Sequence, residues 1–408
     1  MSEPVGIPVK TRRTLSVVSP KLAAKMTEFK ARRCTIYAGH SVTAEYDAAQ
    51  PDSAVDWDPA APESWGFFPR LPMMRGPICR GVSGKYGYNH HHTIAKLGDT
   101  YVATWASGFL HEDFIGQRVR YSTSVDGIDW SEPKMLVHTP VASEVVRNNA
   151  GLYSDGERLY AYVGVAWNLD RDRPQAQKRV PRMRLDVYVT TDLENWTCHE
   201  GIFDDIYLFE GPRMTRGGKL MCSGLDARDH HAMVIMWDDA TQLAEKPRVV
   251  HLESGDGILP GEGTWYQTDD GRIWLYQRDE SGSCHLALSC SEDEGETWSD
   301  MLLTDFPNST SRSMAGRLND GRFFIMGNNY DLFLNRKHMQ IALSDDGLAF
   351  DRQYTLIEGE TTRRVNGYHK EDGYQYPHCC LDGDKMVVIY SINKEDIEVG
   401  TVDMSQVS

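Results

Sequence analysis

A short turn pattern recurs through most of the chain, and it constrains the fold more than any other feature. Each copy begins with Ser or Thr, places Asp two residues later and ends with an aromatic residue. The copies lie at Ser124–Trp130, Thr190–Trp196, Ser291–Trp298 and Ser344–Phe350. With a degenerate copy at Trp237–Asp239, successive Asp positions are separated by 66, 47, 54 and 53 residues. Repeats of this length predict a ring of four-stranded blades.

The stretch from Tyr86 to Trp130 shows one repeat in its most complete form. Apolar and polar residues alternate through His92–Lys96, Thr100–Ala106 and Arg118–Thr123, and a tight turn occupies Leu97–Asp99. Alternation with period two is typical of strands that bury one face. Short strand-like runs separated by turn residues continue to the end of the chain, which favours an all-β protein.

Six repeats are visible, so we predict a β-propeller of six four-stranded blades, with seven as the alternative if another blade lies within residues 1–75. The sixth repeat, from His378 to Val402, lacks an outer strand. The extended segment Cys34–Val42 could supply it, so that N- and C-terminal strands together close the ring. We divide the chain into an N-terminal lead with the closing strand, residues 1–80, and a propeller domain, residues 81–408.

The net charge and the hydropathy of the sequence argue against some classes of binding partner. The net charge of −16 argues against binding to a nucleic-acid backbone, which requires a surplus of Lys and Arg. No apolar run has the length of a signal-peptide core or a membrane span, so we expect a cytoplasmic protein without a membrane partner. The eight Cys residues contain no Cys-x-x-Cys pair and are expected to be free thiols. The oligomeric state stays open.

The copy at Ser291–Trp298 reads Ser-x-Asp-x-Gly-x-Thr-Trp and resembles the Asp box, or BNR repeat, of sialidase-type propellers. In those families the box is a turn between the third and fourth strands of a blade. Its Asp caps backbone N–H groups and its aromatic residue packs between blades. The resemblance therefore implies a fold and carries no chemistry of its own.

The face opposite the Asp boxes is expected to hold the functional site. There the segments leading into the innermost strands meet the loops that join second to third strands. The segments are 89–92, 147–149, 209–211, 262–264, 310–312 and 374–378, and the loops are 111–113, 171–182, 226–231, 278–280, 328–336 and 393–396. Because these stretches are rich in His, Arg, Tyr, Asn and carboxylates, we interpret the mouth of the ring as a binding site.

A sialidase resemblance implies an Arg triad for a substrate carboxylate, a Tyr–Glu nucleophile pair and an Asp acid/base. Its first Arg belongs to an Arg-Ile-Pro motif on the first inner strand, where this chain has Asn89–Ile94 instead. The sequence is more similar to propeller polysaccharide lyases of the ulvan lyase and rhamnose–glucuronate lyase type. The matching stretches are Asn89–His92, Trp105–Gly108, Glu112–Asp113 and Gly116–Gln117. The two catalytic His residues of that group map onto His91 and His111.

We therefore predict an enzyme that cleaves a glycosidic bond at a uronate by β-elimination. Loss of the proton beside a carboxylate requires the carboxylate to be neutralised, which Arg does well, and a neutral His is a suitable base. The predicted catalytic residues are His91, His111 and Tyr376. The predicted substrate-binding residues are Asn89, Glu112, Arg147, Asn148, Arg171, Arg312 and His378.

Two other functions remain open at this point. An exo-acting, sialidase-like glycoside hydrolase would need paired carboxylates or a Tyr–Glu pair. The top face offers Glu112, Asp113, Glu210, Glu262 and Asp279 for this role. A non-catalytic glycan-binding propeller is the other alternative. In each case the expected partner is an oligosaccharide. No cofactor is required, and a divalent cation in the central channel is left open, with no metal ligands assigned.

Overall fold

The computed structural model describes residues 35–36, 68–110, 112–141, 144–167, 182–255, 257–330, 332–367 and 369–407. In these residues the ordered elements are β-strands, apart from short 3₁₀ turns such as Ala240–Gln242 and Met404–Gln406. Six sheets follow one another along the chain and form a β-propeller ring. The predicted all-β class and six blades are therefore confirmed. No helix in the described part of the chain has the length and apolarity of a membrane span.

Two strands precede the repeats, β1 (Thr35–Ile36) and β2 (Met74–Cys79). Blade one contains β3 (Tyr88–Leu97), β4 (Thr100–Gly108), β5 (Arg118–Ser124) and β6 (Lys134–Val137). Blade two contains β7 (Val145–Ser154), β8 (Leu159–Trp167), β9 (Arg182–Thr190) and β10 (Thr197–Asp204). Blade three contains a split inner strand, β11 (Ile206–Leu208) and β12 (Arg213–Met214), followed by β13 (Leu220–Asp226), β14 (Ala232–Trp237) and β15 (Arg248–His251).

Blade four contains β16 (Pro260–Gln267), β17 (Ile273–Asp279), β18 (His285–Ser291) and β19 (Leu302–Pro307). Blade five contains β20 (Met314–Arg317), β21 (Phe323–Gly327), β22 (His338–Ser344) and β24 (Arg352–Glu358), with β23 (Ala349–Phe350) before its outer strand. Blade six contains β25 (Tyr374–Asp382), β26 (Lys385–Ile392) and β27 (Asp396–Asp403), and β2 completes it. The first strand of each repeat is innermost, so the inner strands together surround the central channel.

The strand that closes the ring differs from the one expected. Strand β2 pairs antiparallel with β27, with Met74 opposite Thr401. The proposed segment Cys34–Val42 does not fill this place: its described residues, Thr35–Ile36, pair with blade five, and the rest of it lies outside the described residues. Gly76 and Pro77 argue against a strand when only the sequence is considered, although both residues are tolerated in an edge strand such as β2. An ion pair of 2.7 Å between Arg75 and Glu398 adds to the pairing.

Apolar packing joins every blade to the next. Each of the six interfaces has its own buried cluster with large side chains from both blades. From the interface of blades one and two round to that of six and one, representative pairs are Val102 with Leu159, Tyr162 with Trp237, Met236 with Trp265, Tyr276 with Phe323, Met326 with Tyr390, and Ile389 with Trp105. The ring is thus held by burial between blades as well as by the hydrogen bonds within them.

The Asp boxes form the turns that the resemblance implied. Asp126 Oδ1 accepts hydrogen bonds from the backbone N–H groups of Ile128 and Asp129, at 2.8 and 2.9 Å. The equivalent contacts are made by Asp192, Asp293 and Asp346. These turns lie between third and fourth strands, which places them on one face of the ring. The chain enters the inner strands at the opposite face of the ring, and that face is therefore available for a binding site.

Blades two and three approach each other so closely that only glycine fits at their crossing. A Cβ atom on Gly211 would lie 1.9 Å from the carbonyl oxygen of Leu152. We expect Gly211→Ala to lower the free energy of unfolding by about 3 kcal/mol, because the backbone must move to make room. Urea unfolding followed by tryptophan fluorescence measures this. Gly164→Ala is the matched control, since its Cβ would meet Met183 Cε at an ordinary 3.6 Å. Equal midpoints for the two variants would contradict the close crossing.

Candidate functional site

A hydrogen-bonded Tyr–Glu–Arg set lies where the inner strands of blades four and six face each other. The Tyr376 hydroxyl donates to Glu262 Oε1 at 2.6 Å. Arg278 Nη1 donates to the same hydroxyl and to Glu262 Oε2, each at 2.9 Å. Tyr376 and Glu262 are both buried. The three side chains therefore form one connected unit on the face opposite the Asp boxes.

The protonation of this unit follows from its surroundings. Burial raises the pKa of Tyr376 well above its usual range, and the nearby Glu262 carboxylate raises it further. Burial would also raise the pKa of Glu262, but Arg278 and the Tyr376 hydrogen bond outweigh it and lower that pKa to about 2. The resting state is a neutral phenol that donates to an ionised carboxylate. Their hydrogen bond places Glu262 within reach of the phenolic proton.

Two bulges direct side chains into the site. Tyr376 has φ 56° and His91 has φ 48°, and the strand register shifts at both places. In a regular strand neighbouring side chains point to opposite faces. The left-handed residue at the bulge breaks this alternation. The rings of His90 and His91 both lie near the Tyr376 ring, with centroids at 4.2 and 5.8 Å.

A second connected unit adjoins the first. His91 Nε2 lies 2.8 Å from Glu112 Oε1, and because a carboxylate only accepts, this nitrogen carries the hydrogen. The Tyr88 hydroxyl donates to Glu112 Oε1 and Lys394 Nζ donates to Glu112 Oε2, at 3.2 and 2.9 Å. Burial would raise the pKa of Glu112, but Lys394 and His91 reverse this and hold it well below its usual range. An ionised Glu112 thus orients His91.

Arg312 is the one cation of this region for which the described residues supply no partner. Arg213, Arg278, Arg336 and Lys394 each form an ion pair, with Glu210, Glu262, Glu371 and Glu112. Arg312 is only 2 % exposed and makes no hydrogen bond or ion pair with a described residue. Burial lowers its pKa, while Glu210 and Glu262 act in the opposite direction from a distance. A buried cation is costly unless an anion or another hydrogen-bond acceptor meets it.

Neutral histidines line the same space. His92 Nε2 donates to the carbonyl oxygen of Tyr376 at 2.6 Å. His378 Nδ1 accepts from the backbone N–H of Ile94 at 3.3 Å, which leaves the hydrogen on Nε2. Burial and then the Arg312 charge lower the pKa of His92 to about 3 and that of His378 well below its usual range. His92 and His378 therefore add no positive charge beside Arg312.

The lowered pKa of the buried His92 predicts how the free energy of unfolding depends on pH. His92 has a pKa of about 3 when folded and about 6.5 when unfolded, so the unfolded chain binds more protons between these values. Its contribution to stability is complete above about pH 6.5 and is lost as the pH falls, by up to about 1.4 kcal/mol per pH unit. Urea unfolding at several pH values should show a shallower decline for His92→Gln, which keeps a donor toward Tyr376. An unchanged decline would show that the fold tolerates a protonated His92.

The structure brings half of the predicted site residues together. His91, Glu112, Arg312, Tyr376 and His378 meet as described above. Two others, His111 and Arg171, lie outside the described residues. The remaining three lie beside or behind the cluster: Asn89, Arg147 and Asn148.

The contacts of these three explain their positions. Asn89 is fully buried, and its amide bonds to Trp105, Ser107 and the carbonyl oxygen of Glu395. Arg147 Nη1 donates to Thr139 Oγ1 at 3.0 Å. Asn148 donates to Asp113 Oδ1 at 3.0 Å. Asn89 therefore joins blade one to blade six, whereas Arg147 and Asn148 hold the neighbouring loops of blades one and two.

Sequence reasoning did not single out several members of the cluster. Glu262 was among the carboxylates named for a hydrolase, but Arg278, Arg336, Glu371 and Lys394 were not assigned a role. The first two and Lys394 belong to loops that were expected on this face. Lys394 also follows Asn393 in a tight hairpin where both residues have positive φ, 58° and 54°. Three loop residues, 393–395, separate Ile392 from Asp396, and Asn at the first of them was the available signal, because Asn tolerates positive φ.

One group of side chains has the donor types of a metal site. Ligand atoms of His90, His91 and Glu112 lie within 4.8 Å of one another. His90 Nε2 is buried without a hydrogen-bond partner. A His₂Glu set suits zinc. However, the Lys394 ammonium already binds Glu112 and would repel a dication. These residues therefore fit an ion-paired hydrogen-bond network better than a metal centre, and the divalent cation stays a prediction.

Comparison with known proteins supports the fold. Residues 208–389 match the model of a family described as a BNR repeat-like domain. A solved sialidase shares 18 % identity with a TM-score of 0.58, over 82 % of this chain and 33 % of that one. Trypanosoma rangeli sialidase shares 13 % identity with a TM-score of 0.60, over 81 % and 60 %. A protein of unknown function from Dyadobacter fermentans shares 13 % identity with a TM-score of 0.64, over 81 % and 99 %.

The chain therefore folds as a sialidase-like propeller with BNR-type repeats, as its Asp boxes indicated. It spans about a third of the first sialidase and well under two thirds of the second. No curated protein sequence matches it. The particular closeness to polysaccharide lyases stays a prediction.

Proposed function

We propose that this sialidase-like propeller is a retaining glycoside hydrolase acting on a sugar that bears one carboxylate. The observation that carries the proposal is the Tyr376–Glu262–Arg278 set beside Arg312, which has no partner in the part of the chain that the structure describes. A Tyr–Glu pair is what the sialidase resemblance implies for the nucleophile. The sialidase fold of the structural neighbours is consistent with such an activity.

Arg312 binds the substrate carboxylate in this proposal. Its guanidinium has no competing partner among the described residues, so an incoming carboxylate can accept its N–H groups in a bidentate manner. His378 adds a neutral Nε2–H donor. One cation without a partner among the described residues favours a sugar with a single negative charge. Uronates and sialic acids both meet this condition.

The nucleophile is the Tyr376 oxygen. A carboxylate nucleophile would approach a substrate that already carries a negative charge nearby, and the two would repel each other. A neutral phenol avoids this repulsion. As its oxygen bonds to the anomeric carbon, its proton passes to Glu262 along the 2.6 Å hydrogen bond. The glycosidic bond breaks, and the leaving oxygen takes the Nδ1 proton of a doubly protonated His91, whose Nε2–H stays bonded to Glu112.

The second step reverses these transfers. Water loses a proton to His91 as its oxygen bonds to the anomeric carbon. The bond from that carbon to Tyr376 breaks, and the phenolate recovers its proton from Glu262. All groups return to their resting protonation states. Two displacements at one carbon retain the configuration of the sugar.

A uronate lyase is the second candidate, favoured by the position of His91. Its ring centroid lies 5.8 Å from that of Tyr376, so a base and an acid flank the same space. In this mechanism Arg312 neutralises the uronate carboxylate and His91 removes the proton on the neighbouring carbon. Electrons of that C–H bond form a double bond while the leaving oxygen takes the Tyr376 proton.

Product analysis distinguishes these functions. The protein is incubated with uronate-containing oligosaccharides and with sialosides, and ultraviolet absorbance and released sugar are followed in parallel. Release of a saturated sugar that is first formed with retained configuration supports the hydrolase. Growth of the absorbance of a conjugated unsaturated uronate identifies the lyase instead. Absence of both, with binding detected by calorimetry, would identify a glycan-binding propeller.

A further inference from the structure

Two buried cations lie close to the aromatic ring of Tyr376. The guanidinium carbon of Arg336 is 5.4 Å from the ring centroid, and Lys394 Nζ is 5.8 Å from it. Both residues are almost fully buried. At these distances a cation is attracted by the electrons of an aromatic ring, and more strongly where water is excluded.

Several contacts fix the two cations in place. Glu371 Oε2 pairs with Arg336 Nη1 at 3.1 Å and with Lys394 Nζ at 3.4 Å, so one carboxylate joins them. Arg336 Nη1 also donates to Gln375 Oε1 at 2.6 Å. Lys394 lies in the second position of the left-handed hairpin described above. The side chains of Arg336 and Lys394 are therefore held in fixed positions at the mouth of the ring.

Other charged and titratable groups face Tyr376 at different points. Glu262 and Arg278 bind its hydroxyl. The imidazoles of His90 and His91 flank the ring, and burial followed by Lys394 keeps the pKa of His90 well below its usual range. Glu112 acts from the far side of Lys394. Arg336 and Lys394 are thus the cations that lie near the ring rather than at the hydroxyl.

We propose that Lys394 and Arg336 are positioning residues that stabilise negative charge on the Tyr376 ring. Such charge develops when the phenol gives its proton to Glu262 and again when the phenolate leaves the sugar. A phenolate spreads its charge into the ring, where these two cations meet it. The proposal rests on Tyr376 being the reacting group, and it applies to the lyase mechanism as well, because a phenolate forms there too.

A titration that needs no substrate tests this role. A trifluorinated tyrosine is placed at position 376, and its ionisation is followed by ¹⁹F NMR in the full-length protein. We expect Lys394→Met to raise the pKa of this phenol by about one pH unit, as loss of a nearby cation should. Lys394→Arg is expected to titrate like the parent protein. Arg336→Met provides an independent second variant, with a shift in the same direction.

The effect of Lys394 must be separated from that of Glu112, which loses its partner in Lys394→Met. Glu112→Gln and the double variant Glu112→Gln/Lys394→Met are therefore compared. A higher pKa in the double variant supports direct stabilisation by Lys394. Equal values for this pair overturn it. A shifted titration with unchanged turnover in Lys394→Met would instead show that Tyr376 is not the reacting group, so the proposed function would fail separately.

Discussion

Tyr376→Phe is expected to lower kcat by about 10³-fold or more, because it removes the oxygen that serves as nucleophile or acid. The substitution deletes one buried hydroxyl and keeps the ring. Glu262 and Arg278 remain paired with each other at 2.9 Å, so neither is left as an isolated charge. The fold should therefore persist. Steady-state kinetics on an aryl glycoside of the acidic sugar found by product analysis measures the loss.

Glu262→Gln is the companion variant. An amide has nearly the shape of the carboxylate but cannot take the phenolic proton, so a loss of the same order is expected. An analogue of the sugar with fluorine on the carbon next to the anomeric carbon is hydrolysed slowly, so it should add its mass to Tyr376 in the parent protein, as seen by mass spectrometry of peptides. The Tyr376→Phe protein should remain unmodified. Turnover within threefold of the parent in Tyr376→Phe would exclude a direct chemical role for this residue.

The fold could be predicted from the sequence because the Asp-box turns that mark the blades are local in sequence and are repeated. Each Asp box bonds to its own backbone within a few residues, as Asp126 does to Ile128 and Asp129. Four such copies at blade spacing leave little choice of architecture. The closing strand is a different case, since β2 pairs with β27 more than three hundred residues away. Nothing near Met74–Cys79 in the sequence indicates that partner, and Gly76 and Pro77 disguise the strand.

The candidate site was only partly derivable, for a related reason. Its top-face segments followed from the topology, and they include Tyr376, His91 and Arg312. The pairings did not follow, because Tyr376 and Glu262 are separated by 114 residues and meet only when the ring closes. Bulges at His91 and Tyr376 then turn side chains away from the alternation of an ideal strand. Local deviations of this kind gather at functional sites, where sequence periodicity is least informative.

Arg312→Met is expected to change activity and stability in opposite directions. Two charge-assisted hydrogen bonds to a substrate carboxylate contribute about 3–4 kcal/mol, so kcat/KM should fall by about 10²- to 10³-fold. In the free protein the same guanidinium is buried and no described residue pairs with it, and replacing it by an apolar side chain of similar length removes that cost. The free energy of unfolding should therefore rise by about 1 kcal/mol.

Kinetics and urea unfolding on the same preparations test both halves of this expectation. Arg317→Met is the matched control: Arg317 lies in blade five as well, but it pairs with the exposed Asp269 at 2.8 Å. Its loss should leave kcat/KM near the parent value and should not stabilise the fold. Arg312→Lys keeps the positive charge but cannot donate two parallel hydrogen bonds to a carboxylate, so an intermediate kcat/KM is expected. If Arg312→Met were inactive and also less stable, Arg312 would be part of the framework, and the anion would have to bind elsewhere.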